Sequence, residues 1–198
     1  TQNGAFLSTP EDGVQEGNAL GELTADAFLW AAEEWLGESQ DVPTVALTAA
    51  GALRSPLPRG TVTTAQVFEV LCVGTGADGT AGSPLISCYL TGKELRAALE
   101  VDASVSTRMA EAQLYFAGVE YSFNTHRMFL NKVMDARLTQ TGETLEKDQL
   151  YRVVTSLYCG QMLGTVKERS FGLLSIVPKD ESGAPIQDLT TRVLRDPS

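Results

Sequence analysis

Across residues 20–36 apolar side chains crowd a helical repeat that only a narrow polar stripe interrupts: Glu22, Asp26 and Glu33, with Leu23, Ala27, Trp30, Ala31 and Trp35 filling the remainder. This spacing predicts a largely buried helix, capped by Asn18 and stopped at Gly37. Residues 44–48 form a β-favouring run that opens into small residues at 49–52 and then Leu53 and Arg54, which reads as a strand delivering a loop. Pro56 and Pro58 forbid a helix there, and Thr63 or Thr64 can cap a second helix through Val67, Phe68 and Leu71. A glycine-rich stretch, 74–84, precedes a buried strand at 85–90. Thr91-Gly92-Lys93-Glu94 is a capping box, opening a helix through Leu95 and Leu99 to about Val101. A further helical piece is expected at 104–112.

The pattern then switches to period two. Val119, Tyr121 and Phe123 alternate with Glu120 and Ser122, residues 124–127 supply a turn, and 128–138 return as a strand. A polar loop, 139–148, leads to another strand at 151–155, a helical piece at 157–166, a strand at 171–177 and an exposed loop at 178–185. Helices come early and antiparallel-looking strands late. That order predicts an α+β domain, a mixed sheet packed with helices, spanning 1–198 without an interdomain linker.

At 198 residues the chain can bury about 70% of its unfolded surface and needs no disulfide or metal to hold a core. Fifteen Lys and Arg against twenty-five Asp and Glu leave a formal charge of −10, with no basic cluster, which argues against a nucleic-acid partner. No apolar stretch approaches the roughly 20 residues needed to cross a bilayer. The three cysteines, Cys72, Cys88 and Cys159, sit in apolar contexts without C-x-x-C or metal-ligand spacing and read as buried structural thiols. The chain opens without an initiator Met or targeting signal, and is expected to be a piece of a longer polypeptide.

Few residues announce chemistry. Gly74-Thr75-Gly76-Ala77-Asp78-Gly79 satisfies G-x-G-x-x-G, but a helix rather than a strand is expected before it, so the dinucleotide context fails and a turned loop near a ligand pocket is the better reading. With one histidine, His126, in a predicted turn, the chain cannot alone assemble a conventional zinc, dimetal or Ser-His-acid centre. No catalytic or metal-ligating residue is assigned. Arg54, following a strand and a small-residue loop, suits phosphate or carboxylate; as an ordinary surface arginine it would have the same sequence context. Glu33-Glu34 and Glu100/Asp102 are expected to line solvated faces.

Several segments together resemble one family. Residues 16–27, Glu16-Gly17-Asn18 through Ala25-Asp26-Ala27, resemble the entry helix E-x-N-x-x-G-x-L-x-A-D-A of the C-terminal domain of 5'-nucleotidases. Residues 49–54 occupy the place of that family's N-G-G-G-I-R loop, 61–73 its I-T-x-x-x-V-F-x-V-x-P-F stretch, and 90–95 its L-T-G-x-E-L helix start. Residues 116–121 are similar to its S-G-x-x-Y strand and 151–155 to its Y-R-V-x-T strand, so the resemblance covers 16–165.

This resemblance implies a two-domain, extracellular or envelope-associated phosphoesterase acting on nucleotides or related phosphate esters. Its N-terminal metallophosphatase domain, absent from this chain, would hold two divalent metal ions; the present domain, with no cofactor of its own, would bind substrate through Arg54, Gly51, Gly74 and Thr75. Departures fall on the substrate motifs. Ala49 and Ala50 replace the family Asn and Gly, Cys72-Val73-Gly74-Thr75 replaces P-F-G-N, and Cys159-Gly160-Gln161-Met162 falls where G-G-D-G-Y is expected. Two other readings are a binding or cell-surface interaction module that kept the fold and lost the pocket, and an unrelated self-contained enzyme.

Overall fold

The computed structural model describes residues 19–36, 42–76, 79, 81–106, 108–169 and 175–195. Among the described residues six strands and four α-helices follow in the order α1 (Ala19–Leu36), β1 (Thr44–Ala49), α2 (Thr64–Val70), β2 (Leu85–Thr91), α3 (Gly92–Val105), β3 (Leu114–Ala117), β4 (Val119–Phe123), β5 (Val133–Leu138), β6 (Leu150–Ser156) and α4 (Leu157–Arg169). The main sheet runs β2-β6-β1-β3, and β4 and β5 form a separate hairpin. β6 pairs parallel with β1 and antiparallel with β2, while β1 and β3 are antiparallel. The sheet is therefore mixed, as expected.

Strand alternation sorts the core onto two faces of this sheet. Val45 and Tyr151 point to the side covered by α3 and the β4–β5 hairpin, where they meet Leu95, Leu99, Val119 and Val133, and Val153 packs there with Ala97 and Ala98 of α3. Their neighbours Ala46 and Val154 point the other way, onto Ala25, Phe28 and Ala32 of α1. The outcome is three layers: α1, the sheet, then α3 with the hairpin.

Both capping boxes form. Thr63 caps α2 with its side chain accepting from the Gln66 N–H while Gln66 returns the bond to the Thr63 N–H. Thr91 and Glu94 do the same for α3, closing orphan donors that would otherwise need water.

Several expectations are corrected. α1 buries Leu20, Gly21, Thr24, Ala25, Phe28, Ala31 and Ala32, leaving Leu23, Ala27 and Trp30 outside, because the small residues are the ones that let the helix approach the sheet. Gly21 shows it: an added Cβ would lie 2.3 Å from the Tyr115 ring. α3 continues to Val105 and is followed by a 3₁₀ turn, Ala110–Ala112, rather than a second helix. The expected strand at 128–138 starts only at Val133; before it lies a loop in which Leu130 adopts φ 57°, incompatible with a strand. Residues 175–177 are not in a strand, and 171–174 lie outside the described residues, as do Asn18 and Gly37. The segment 178–185 is only partly exposed, since Lys179 pairs with Tyr89 at the sheet edge.

Glu100 and Asp102 line no solvated face: they are 6% and 3% exposed. Each is drawn inside by donors that need an acceptor. Glu100 takes the N–H groups of Lys132 and Val133 at 2.8 and 2.9 Å, and Asp102 takes the Leu114 N–H at 2.9 Å and the Tyr121 hydroxyl.

Candidate functional site

β1 ends at Ala49 and the chain turns through a 3₁₀ segment, Ala50–Ala52. The Ala50 N–H donates to the Gln113 carbonyl at 2.8 Å and the Leu53 N–H to the Ala50 carbonyl at 3.0 Å. An ideal Cβ on Gly51 would sit 3.1 Å from the Glu111 carbonyl oxygen. Small residues are what this turn requires to pass so close to a neighbouring backbone.

Arg54 follows, fixed by its own main chain: its N–H donates to the Val70 carbonyl at the end of α2, 2.8 Å away. The guanidinium is exposed, touches the Gly51 carbonyl at 3.4 Å, and makes no ion pair among the described residues. A charged, planar donor set held on a fixed backbone and left available is the arrangement that anion recognition uses.

Gly74 and Thr75 begin a second loop that reaches α2. The Gly82 N–H donates to the Gly74 carbonyl at 3.1 Å, Thr75 bridges Ala81, and Gly74 has φ +89°. This loop rests on α2, where an ideal Cβ at Gly82 would meet the Phe68 ring at 3.4 Å and the Leu71 carbonyl at 3.9 Å. The end of α2 thus contacts both the Arg54 loop and the 74–82 loop, so all four expected site residues, Gly51, Arg54, Gly74 and Thr75, lie on two loops that touch one short helix. The turned loop replaces a dinucleotide site: no helix is seen among the described residues after Gly74 until α3.

The sequence reading missed Phe68, whose ring is 49% exposed at this edge. The signal was available, since the Thr63 cap fixes the register of α2, and Val70, which packs with Leu20 and Leu57, then sets the buried side. Cys72 is corrected from buried to exposed, whereas Cys88 and Cys159 are buried. His126 is exposed in its turn, with its backbone N–H on Asn124 Oδ1 at 2.9 Å. Among the described residues no three His, Cys, Asp or Glu side chains group so as to hold a metal ion, and no helix is long and apolar enough to cross a membrane.

Comparison with known proteins agrees with the fold and the motifs. The family model "5'-nucleotidase, C-terminal domain" matches residues 1–165, and the chain belongs to that family. It is 28% identical over 144 residues to the trifunctional nucleotide phosphoesterase protein YfkN of Bacillus subtilis, covering 71% of this chain and 9% of that protein. The 5'-nucleotidase precursor of Thermus thermophilus superposes with a TM-score of 0.61 at 27% identity, over 84% of this chain and 30% of that one. A putative 5'-nucleotidase from Staphylococcus aureus shares the fold at 14% identity and TM-score 0.52, over 97% of this chain and 40% of its own. The chain thus spans less than a third of the length of the first two relatives.

Proposed function

We propose that this chain is the substrate-binding domain of a metal-dependent phosphoesterase acting on nucleotides or related phosphate esters. The domain comprises residues 1–198, and a metallophosphatase domain precedes it in the full polypeptide. Two divalent metal ions, which activate water and polarise phosphoryl oxygens in such hydrolases, belong in this reading to that preceding domain, since the described residues offer no donor set for them. The role of the present chain is to position the leaving group. The same reading places the protein outside the cell or in its envelope, in nucleotide breakdown.

The observation that carries the proposal is Arg54: an exposed guanidinium on a backbone held by the Arg54 N–H bond to Val70, beside a loop of small residues. Arg54 would take the anionic part of the substrate, Gly51 would let it approach the backbone, and Gly74 and Thr75 would form the opposite wall. Phe68 offers an aromatic surface at that wall in place of the stacking ring that Cys72-Val73 does not supply. Base stacking is worth about 1–3 kcal/mol per ring, so Phe68→Ala is expected to weaken nucleoside-containing ligands and spare inorganic phosphate.

Thermal shift of the chain against nucleosides, nucleoside monophosphates, sugar nucleotides and inorganic phosphate tests this. A ligand present at about 100 times its Kd adds roughly 2.7 kcal/mol, a shift of several degrees. A shift with one phosphate-bearing class that Arg54→Ala abolishes is the expected result. Unchanged phosphate-ester hydrolysis by Arg54→Ala in the full polypeptide would overturn the assignment.

A further inference from the structure

The loop between β4 and β5 is held more firmly than a surface turn requires. Its backbone N–H groups at Leu130, Lys132 and Val133 donate to Ser104 Oγ, Glu100 Oε2 and Glu100 Oε1 at 3.0, 2.8 and 2.9 Å, and the Arg96 guanidinium holds the Val133 carbonyl at 2.7 Å. Ser104 and Glu100 are both buried. Within that frame Leu130 is kept at φ 57°, a left-handed conformation that residues with a side chain rarely adopt. The frame presents Met128, 79% exposed, and Phe129 at the surface.

Arg108 holds its guanidinium 5.3 Å from the centre of the Phe129 ring, its chain neighbour Met109 is exposed, and Arg127, which precedes Met128, reaches Met134 Sδ at 2.8 Å. The surface is apolar, rich in Met, Phe and Arg, and cationic on a chain of formal charge −10. This is the composition by which the centres of protein interfaces differ from the rest of a surface.

α1 carries the counterpart. Leu23, Ala27 and Trp30 lie at i, i+4 and i+7 on its outer side, with Trp30 62% exposed, flanked by Glu22, Asp26, Glu33 and Glu34, and the helix contains no basic residue. One surface is apolar and basic and the other is apolar and acidic, and they lie on opposite sides of the sheet.

We propose that the Met128/Phe129 loop docks on the outer face of α1 of a second copy of this chain. The arginines meet the α1 carboxylates at the rim while Phe129, Met128 and Trp30 form the apolar centre. Because the two surfaces point away from each other on one molecule, the contact is head-to-tail, and a pair leaves one face of each kind free for a further copy. This contact is independent of the phosphoesterase reading.

Sedimentation of the chain over a wide concentration range tests it. The expected mass rises continuously with concentration and falls with added salt, which screens the rim charges. Phe129→Ser with Met128→Ser disables the loop, and Trp30→Ser disables α1; each is expected to lower the association constant at least about tenfold. All three positions are exposed, so circular dichroism and Tm should match the parent. The decisive mixture combines the loop variant with the α1 variant: each alone stays monomeric, and together they form pairs and nothing larger. Arg108→Glu with Arg127→Glu should by itself abolish self-association, and adding Glu22→Lys and Asp26→Lys to that same chain should restore it. A chain that stays monomeric at every concentration overturns the proposal, as does association that survives both sets of serine variants or a mixture that does not pair.

Discussion

Lys179 places its ammonium on the Glu94 carboxylate in a largely buried ion pair, 85 residues apart in sequence. Glu94 Oε2 serves the α3 capping box while Oε1 receives Lys179 and the Val177 N–H at 3.2 Å. Burial alone would raise the acid's pKa, but bonds from Lys179 and Thr91 and the Lys179 charge outweigh it and hold it below the ordinary value. One carboxylate therefore starts a helix and fastens the segment near the C-terminus to the sheet edge.

Removing one partner should cost more than removing both. Lys179→Met leaves a carboxylate in a poorly hydrated place and is expected to destabilise by about 3 kcal/mol. The double variant Lys179→Met with Glu94→Gln keeps a capping-box acceptor and should lose clearly less. Urea unfolding of the three chains decides it; equal losses would mean the pair is effectively solvated.

How far such features are legible in sequence depends on the distance over which they act. The Thr91/Glu94 box, the β1 run and the alternation at 119–123 are local patterns, and each stands where the pattern puts it. The resemblance placed Arg54 on its loop for the same reason. The partners of Glu94, Glu100 and Asp102 come from 83, 33 and 12 residues away, and no local periodicity carries that information. α1 misled because hydrophobicity alone nominates Trp30 and Leu23, whereas close contact with Tyr115 selects Gly21 and Ala25. The strand expected from residue 128 failed because Glu100 and Ser104, on another element, capture the loop's donors.

Asp102 gives stability an unusual pH dependence. Burial, opposed by bonds from Tyr121 and the Leu114 N–H, raises its pKa to about 6, and burial followed by the Asp102 charge pushes the Tyr121 phenol well above its ordinary value. The folded chain holds the Asp102 proton more tightly than the unfolded chain, whose aspartates titrate near about 3.9. The resulting stabilisation is fully present below about pH 4 and is lost as pH rises through about 6, a loss on the order of 3 kcal/mol. Asp102→Asn keeps the shape without the proton. Its stability relative to the parent should rise between those pH values, the other carboxylates cancelling in the comparison; a difference independent of pH would contradict this account.

The three cysteines should separate sharply by reactivity. Cys72 is exposed, with its thiol donating to the Glu69 carbonyl at 3.3 Å. Cys88 is fully enclosed, and burial pushes its pKa up to about 12 against the opposing charges of Arg192 and Lys179. Since the thiolate is the reactive form, the folded chain is expected to titrate one thiol rapidly with a disulfide reagent, and the unfolded chain three. Cys72→Ser should abolish the rapid phase. A rapid phase that persists in that variant would place Cys88 or Cys159 within reach of solvent.

Gly118 tests the joint between sheet and hairpin. It lies between β3 and β4 with φ +82°, and an ideal Cβ there would come 2.6 Å from the Thr44 carbonyl oxygen and 3.3 Å from Val45 Cα. That backbone has little freedom to yield, because Thr44 pairs with Arg152 of β6 and the Arg152 N–H donates to the Pro43 carbonyl. Gly142 shares the positive φ, at 71°, with nothing within 4 Å of its Cβ position. Gly142→Ala should therefore report the conformational penalty alone, about 1 kcal/mol. Gly118→Ala adds a collision with a fixed strand and should cost more, by about 1–3 kcal/mol on the scale of overpacked cores. Urea unfolding of the two variants measures the difference directly, and equal losses would show that β1 can move aside at the point where the hairpin leaves the sheet.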